Sequence, residues 1–194
     1  MKPITLKFVK SAPSIKDLPA DTGREIILAG YSNVGKSSVI DLISNTRDLA
    51  KCSKTPGRTQ LFNVFETAGG QRILDLPGYG YAKVPTKLQR SWMDHLGDYL
   101  INRASLHGML VITDIRRELR PIDVDLLTFC QENNVPFAIV LNKSDKLSKS
   151  QVLQTQMKLA TVLNVEKDFI IPCSCLKRVG VEHVIGQIRA WLGI

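Results

Sequence analysis

The chain has little cysteine, no secretory leader pattern and no long apolar run, and each shortage excludes a class of protein. None of its apolar runs approaches the roughly 20 residues that span a bilayer, so no membrane segment is predicted. Its four cysteines lack framework or zinc-site spacing, although Cys173 and Cys175 form a C-x-C pair. We interpret all four as reduced thiols. The N-terminus lacks the apolar block and cleavage site of a signal peptide, so a cytoplasmic location is expected.

Acidic residues are also scarce. The chain has 26 Lys and Arg but only 18 Asp and Glu, which leaves a formal net charge of +8. The excess is concentrated between Leu42 and Arg90, where there are eight basic and three acidic residues. Such a region favours a polyanionic partner, nucleic acid before an anionic membrane. The alternative is a solvated basic face without a dedicated partner.

Length and composition favour a single globular domain. The 194 residues suffice for one domain with a full core and are few for two, and 44% of them are apolar. We assign residues 1–194 to this domain and residues 1–23 to an N-terminal strand, near Ile4–Val9, with its linker.

Strand patterns alternate with helical patterns along the rest of the chain. This alternation predicts a three-layer α/β fold in which a mostly parallel sheet has helices on both faces. One antiparallel hairpin strand is expected, because LFNVFET and RILDL are joined by a short AGG turn. The other predicted strands are EIILAG, LHGMLVITD, PFAIVLN and DFIIPCS. The predicted helices are Lys36–Ser44, Leu88–Arg103, Ile122–Asn133, Ser148–Leu163 and Val181–Leu192.

A phosphate-binding pattern follows the strand EIILA and opens the next predicted helix. It consists of a glycine, four residues and then Gly-Lys-Ser, in the strand–loop–helix context that a P-loop requires. The glycines let backbone N–H groups face phosphates, and the helix N-terminus adds a positive dipole end. We expect Lys36 to bridge the β and γ phosphates and Ser37 to ligate Mg²⁺. The predicted phosphate-binding residues are Gly30, Tyr31, Ser32, Asn33, Val34, Gly35, Lys36 and Ser37.

Two further segments complete the predicted phosphate site. Asp-Leu-Pro-Gly ends the strand RILDL, where Asp75 suits Mg²⁺ directly or through water and the Gly78 N–H can sense the γ-phosphate. The segment KTPGRTQ can supply a threonine hydroxyl to Mg²⁺ and become ordered only with the γ-phosphate present. Thr59 is preferred for this role because a Pro-Gly turn precedes it, and Thr55 is the competing candidate.

The motif Asn-Lys-Ser-Asp after the strand PFAIVL predicts a guanine site. A carboxylate at Asp145 accepts both the ring N–H and the exocyclic amine of guanine, an arrangement that adenine does not offer. Asn142 can brace the loop, and the stem of Lys143 can lie over the ring. Ser174-Cys175-Leu176, after the strand FIIPC, can offer backbone N–H groups to the guanine carbonyl.

With these elements in order, the chain resembles the Era-like branch of the Ras-like GTPases, and specifically the bacterial EngB/YsxC (YihA) family of ribosome-biogenesis GTP-binding proteins. The resemblance extends from about Ile4 to Leu192, and KTPGRTQ and DLPGYGYAKV are its most specific segments, together with SNVGKSS. It implies a GTPase needed for assembly of the large ribosomal subunit, and loss of such a protein is associated in that family with defects of cell division and septation. The chain departs from the pattern at Cys175, where a small Ala or Ser is common.

The resemblance also implies a set of nucleotide and metal contacts. Mg²⁺ would be held by Ser37 and Thr59, with Asp75 acting through water. Beyond the P-loop, the implied phosphate contacts are Gly57, Arg58, Thr59, Gln60, Leu61, Asp75, Leu76, Pro77 and Gly78. The implied guanine contacts are Asn142, Lys143, Ser144, Asp145, Ser174, Cys175 and Leu176.

Hydrolysis by this chain is expected to be slow. Ras-like enzymes orient the attacking water with a glutamine just after Asp-x-x-Gly, a position that Tyr79 occupies here. In relatives with an asparagine at the position of Asn33, a K⁺ ion acts where an arginine finger would. We therefore expect K⁺-stimulated hydrolysis that depends on Asn33, with Arg58 as a second candidate. The loop tyrosines Tyr79 and Tyr81 can either stack on unpaired RNA bases or pack against the next helix.

These observations predict a monomeric GTP/GDP switch whose basic loops engage ribosomal RNA of the large subunit in the GTP state. An alternative function of a different kind is a regulatory switch that acts on division proteins without RNA contact. An ATP-using P-loop enzyme would require that Asp145 be misassigned.

Overall fold

One sheet contains the seven strands of the computed structural model, which describes residues 1–51, 61–79 and 96–194. In chain order the strands are β1 (Leu6–Ala12), β2 (Glu25–Ala29), β3 (Phe62–Thr67), β4 (Arg72–Asp75), β5 (Leu106–Asp114), β6 (Phe137–Asn142) and β7 (Ile170–Pro172). Across the sheet they lie in the order β1-β3-β4-β2-β5-β6-β7.

Strand β3 is the one strand that runs against the rest of this sheet. It pairs antiparallel with β1 on one side and with β4 on the other, whereas the remaining neighbours are parallel. The β3–β4 turn is closed by a backbone hydrogen bond of 2.9 Å from Thr67 N to Gln71 O. The predicted hairpin and the mostly parallel sheet are therefore confirmed.

The helices that the structure describes are close to the predicted ones. They are α1 (Lys36–Ser44), α2 (helical over 96–102), α3 (Pro121–Glu132), α4 (Lys149–Leu163) and α5 (Val181–Leu192). The residues of the predicted Leu88–Arg103 helix before 96 lie outside the described residues. Ser148 caps α4 by accepting a 3.3 Å hydrogen bond from Gln151 N, and Pro121 occupies the first turn of α3. Among the described residues, no helix is both long and apolar enough to cross a membrane.

Two apolar layers lie on opposite faces of the sheet. Ile26 and Leu28 of β2 point to the face covered by α1 and α5, whereas Ile27 and Ala29 point to the face covered by α2, α3 and α4. This follows from the two-residue side-chain period of a strand. Because both faces are buried, β2 is apolar at every position after Glu25, which explains why EIILA carries no alternating pattern.

The carboxyl ends of the central strands meet at one edge of the sheet. The parallel register places Leu28 beside Asp75 and Asp114 beside Asn142. Segments that are distant in sequence therefore converge there, as is usual for ligand sites of open α/β sheets.

Candidate functional site

The loop between β2 and α1 wraps tightly at two glycines. Gly30 has a φ of 147°, and a Cβ at this position would lie 2.3 Å from the carbonyl oxygen of Ile112. Gly35 has a φ of 108°, and its Cβ would lie 2.2 Å from Nδ2 of Asn142. No other residue fits at either position without displacing its neighbours. The loop therefore presents its backbone at the N-terminus of α1, as an anion site requires.

Lys36 holds this loop together from within. Its side chain is buried, and Nζ donates hydrogen bonds to the carbonyl oxygens of Gly30 at 2.8 Å and Tyr31 at 3.4 Å. Gly78 lies directly beside it, because a Cβ on Gly78 would be 3.0 Å from both Lys36 Nζ and Ser32 Oγ. Ser32 Oγ donates a 3.3 Å hydrogen bond to Gly78 O, so the glycine of Asp-x-x-Gly lies against the P-loop hydroxyl and beside its amine.

The oxygen donors expected for Mg²⁺ lie at the same end of the sheet. Ser37 is in the first turn of α1, and Asp75 is the buried last residue of β4. A hydroxyl and a carboxylate suit Mg²⁺, which prefers oxygen ligands. Thr59 and Thr55, together with Gly57, Arg58 and Gln60, lie outside the described residues. Leu61 is described and stands half-buried just before β3.

The side chain of Tyr79 is buried, so the stacking interpretation of this residue is wrong. Its hydroxyl donates a 2.6 Å hydrogen bond to Oδ1 of Asp123 in α3, and its ring packs edge-on against Tyr31. Its carbonyl accepts a 3.1 Å bond from Ser32 N in the P-loop. Burial, followed by the charge of Asp123, raises the pKa of the Tyr79 phenol well above its usual value. The helix that Tyr79 is bonded to is α3, whereas the alternative predicted packing against the next helix along the chain, whose residues before 96 lie outside the described residues, as does Tyr81.

Asn142, at the end of β6, joins three loops. Its Nδ2 donates a 2.9 Å hydrogen bond to Val34 O in the P-loop. Its Oδ1 accepts bonds from Lys143 N at 2.8 Å and from Cys175 N at 3.4 Å. The next residue but one, Ser144, donates from its backbone to Cys173 O at 3.0 Å. The phosphate loop and both predicted base loops are therefore braced against one another.

The carboxylate of Asp145 is held by a serine hydroxyl. Ser174 Oγ donates a 2.5 Å hydrogen bond to Oδ1, and Lys146 Nζ lies 3.4 Å from Oδ2. The bond from Ser174 is the largest cause that lowers the pKa of Asp145 below its ordinary value. Asp145 is therefore an acceptor-only group at neutral pH.

One expectation for the second base loop needs correction. The backbone N–H of Ser174 donates to Val179 O at 2.9 Å, so it is engaged within its own loop and not directed at a base. Ser174 contributes through its hydroxyl instead, which the sequence order did not indicate. Leu176, with 72% of its surface exposed, lies at the rim.

Two cavities open on either side of Asn33 and Lys143. The larger, of about 670 Å³, is bounded by the P-loop, α1 and the two predicted base loops, and Gly35, Asn142, Asp145 and Cys175 line it. The smaller, of about 340 Å³, lies between the P-loop and the segment that connects β5 to α3. The larger cavity is the one that joins the predicted phosphate and base motifs.

A charged cluster that sequence reasoning missed lies between these cavities. Asp114, at the end of β5, accepts from Lys143 Nζ at 2.9 Å and from both Nε and the Nη2 of Arg116 at 2.9 and 2.7 Å. Lys143 Nζ also donates to Asn33 O at 3.1 Å. The available signal was the position of Asp114 at the carboxyl end of a central strand.

One basic residue between Leu42 and Arg90 does not belong to the predicted polyanion-binding region. Arg72 is buried at the opposite end of the sheet, where its Nε lies 3.0 Å from Oε2 of Glu25. Arg103 Nε lies 2.7 Å from Oε1 of the same glutamate. By contrast, the side chain of Arg47 is 95% exposed. Arg72 is therefore part of the interior and not of a polyanion-binding face.

The described cysteines form no disulfide bond. Cys130, Cys173 and Cys175 are free thiols, whereas Cys52 lies outside the described residues. Within the described ranges, no group of three or more His, Cys, Asp or Glu side chains is arranged to hold a metal ion.

Comparison with known proteins gives consistent matches. A family model described as "50S ribosome-binding GTPase" matches residues 25–143. The probable GTP-binding proteins EngB of Escherichia coli K12 and Shigella boydii serotype 18 are each 44% identical to this chain over 186 residues, or 95% of this chain and 89% of theirs.

Solved structures give the same result for the fold. The crystal structure of a probable GTP-binding protein engB has a TM-score of 0.72 at 25% identity, covering 87% of this chain and 98% of that chain. Era in complex with MgGDPNP and nucleotides 1506–1542 of 16S ribosomal RNA has a TM-score of 0.62 at 22% identity, covering 87% of this chain and 56% of that one. The second likeness concerns the fold alone.

Proposed function

The chain belongs to the EngB family of GTP-binding proteins and contains a 50S ribosome-binding GTPase domain, and from this premise we propose a nucleotide-gated factor in large ribosomal subunit assembly. The protein hydrolyses GTP slowly, acts in the cytoplasm as a monomer, and is required for normal cell division and septation. The observation that carries the proposal is the packing of Gly78 against Lys36 Nζ and Ser32 Oγ.

This contact supports gating by the nucleotide. Lys36 is the residue expected at the β and γ phosphates, so any displacement of its amine by a γ-phosphate acts directly on Gly78. Gly78 is followed by Tyr79, which is bonded to both the P-loop and α3. The γ-phosphate would therefore bias the segment that carries the basic residues after Tyr79.

Guanine selectivity is assigned to Asp145. Its carboxylate is fixed by Ser174 Oγ at 2.5 Å and lines the larger cavity. An ionised carboxylate accepts the two parallel N–H groups of guanine, and a wrong base leaves buried polar groups unpaired. Asn142 braces this loop against the P-loop, and Lys143 lies along the same cavity.

Mg²⁺ would be held by Ser37 and Thr59, with Asp75 acting through water. When bound, it neutralises charge that develops between the β and γ phosphates. Lys36 supplies further positive charge, and Ser37 lies at the N-terminus of α1, whose dipole also favours the phosphates.

The position of Tyr79 supports the proposal of slow hydrolysis. Its phenol is turned into the interior, so the residue after Asp-x-x-Gly cannot orient a water at the phosphates. Asn33 is exposed in the P-loop with a φ of 65°, and its side-chain amide oxygen is the ligand proposed for K⁺. A monovalent cation there would supply the charge that an arginine finger supplies elsewhere. Arg58 remains the second candidate.

Ribosomal RNA is the proposed polyanionic partner. The net charge of +8 and the exposed Arg47 beside the larger cavity support it. The competing function is a regulatory switch for division proteins that makes no RNA contact.

Cosedimentation with purified large ribosomal subunits tests the proposal. Association should be stronger with a non-hydrolysable GTP analogue than with GDP, and it should weaken steeply as salt increases. Arg47→Glu should weaken it further, whereas Lys158→Glu on the surface of α4 serves as the matched control. Equal association with both nucleotides would contradict gating. Binding to division proteins that survives RNase treatment would favour the competing function.

A further inference from the structure

Asp114 is a buried carboxylate with two cationic partners. It is the last residue of β5, and its side chain is 5% exposed. Arg116 binds it through two nitrogen atoms, and Lys143 Nζ reaches Oδ2 at 2.9 Å. The hydrogen bond from Arg116, followed by that from Lys143, holds the pKa of Asp114 far below its ordinary value. The carboxylate is therefore ionised throughout the physiological range.

Lys143 is fixed at both ends. Its backbone adopts a left-handed conformation with a φ of 66°, and its N–H is bonded to Oδ1 of Asn142 at 2.8 Å. Its ammonium lies between Asp114 Oδ2 at 2.9 Å and Asn33 O at 3.1 Å. Between these anchors Lys143 lines the larger cavity as well as the smaller one. The long, flexible side chain of Lys143 is thus already held in one arrangement. The conformational entropy that would be lost by ordering it on nucleotide binding is therefore reduced.

The anchor at Asn33 extends this arrangement to the P-loop. Because one ammonium bridges Asp114 and Asn33 O, the position of the base loop and that of the phosphate loop are set together. Arg116 is the second cationic partner of the Asp114 carboxylate, 2.7 Å away. Two partners help to offset the cost of removing this charge from water.

We infer that Asp114 is a positioning residue for guanine-nucleotide binding: it acts through Lys143, whose stem it holds against the base and whose ammonium it holds on the P-loop carbonyl of Asn33. The inference rests on the proposed placement of guanine along Lys143. Asp114 itself does not contact the nucleotide.

The test is a double-mutant cycle on the full chain, read as the dissociation rate of a fluorescent GDP in stopped flow. Lys143→Met removes the ammonium and Asp114→Asn removes its anchor. Each single change should raise the dissociation rate roughly tenfold, the size expected for directly coupled residues. The double variant should be no faster than Lys143→Met alone. Additive effects would show that Asp114 does not act through Lys143 and would overturn the inference.

A control separates positioning from loss of stability. Glu25→Gln neutralises an equally buried carboxylate, paired with two arginines at the opposite end of the sheet. It should lower the melting temperature and leave the GDP dissociation rate unchanged. If Glu25→Gln accelerates dissociation as much as Asp114→Asn, the effect is one of general stability and the inference fails.

The two proposals fail in different ways. If Lys143→Met leaves the dissociation rate unchanged, the proposed guanine site is wrong. If Lys143→Met raises the GDP dissociation rate and the Asp114→Asn variant is folded but does not raise it, only the positioning role of Asp114 is wrong. Asp114→Glu provides a second variant that retains the charge but displaces the carboxylate by one methylene. It should accelerate dissociation several-fold, and an unchanged rate in this variant would also contradict the inference.

Discussion

The phenol of Tyr79 and the carboxylate of Asp123 form a buried hydrogen bond of 2.6 Å, which ties the residue after Asp-x-x-Gly to the first turn of α3. The other carboxylate oxygen of Asp123 accepts from Arg120 N at 3.0 Å. Arg120 in turn lies over the ring of Tyr31, 3.3 Å from its centroid. The P-loop, Tyr79 and α3 therefore form one packed unit.

Tyr79→Phe should destabilise the protein by about 1–3 kcal/mol, because it leaves Oδ1 of buried Asp123 without its donor. Urea unfolding measures this change. Tyr31→Phe is the matched control, since it keeps the neighbouring ring under Arg120, and it should change stability by less than about 0.5 kcal/mol. An equal loss in the two variants would show that the Tyr79 bond makes no specific contribution.

Asn33→Ala should abolish stimulation of GTP hydrolysis by K⁺ if the amide oxygen of this exposed P-loop residue holds the ion. The unmodified protein should hydrolyse GTP faster in K⁺ than in Na⁺, on the order of tenfold or more. Phosphate release in the two salts, with and without ribosomal subunits, measures the difference. Equal rates in K⁺ and Na⁺ under all these conditions would exclude the role of Asn33.

Ser174→Ala should shift the acid limit of guanine binding to higher pH. Ser174 Oγ lowers the pKa of Asp145, so its removal raises that pKa toward the ordinary carboxyl value. Protonated Asp145 cannot accept both guanine N–H groups, so GDP affinity falls as pH falls through its pKa. GDP titrations between about pH 4 and 7 test this. Ser11→Ala, which removes a hydroxyl bonded to Asn63 on β3, should leave the profile unchanged.

Glu25→Gln should cost about 3–5 kcal/mol, because it leaves buried Arg72 and partly buried Arg103 without their shared carboxylate. The surface pair of Lys7 and Glu66, at 3.1 Å, offers the contrast, and Lys7→Ala should cost less than about 1 kcal/mol. Denaturant unfolding compares the two variants. Similar costs would contradict the interior position of Arg72.

Much of the fold could be predicted from local patterns. The predicted helices Lys36–Ser44 and Val181–Leu192 have the same bounds in the structure, because their apolar spacing and flanking glycines are local signals. The β3–β4 hairpin was predictable for the same reason, since its turn lies between two adjacent strands.

The candidate site was predictable in part. Its motifs each follow a strand, so the sequence indicated the edge at which they meet. The partners of these motifs were not predictable, because hydrogen bonds such as Ser174 to Asp145 and Lys143 to Asp114 join residues 29 positions apart. Such contacts depend on the register of neighbouring strands, which no single motif specifies.

The sequence by itself determined the order of strands and helices, the motifs for phosphate and guanine, and the tyrosine where a catalytic glutamine is common. Only the tertiary structure decided which of those side chains face the site. It placed Arg72 in the interior and turned Tyr79 onto Asp123. It also anchored Lys143 to Asp114. The physical reason is that motif spacing is a property of the chain, whereas burial and pairing of charge are decided when distant strands come into register.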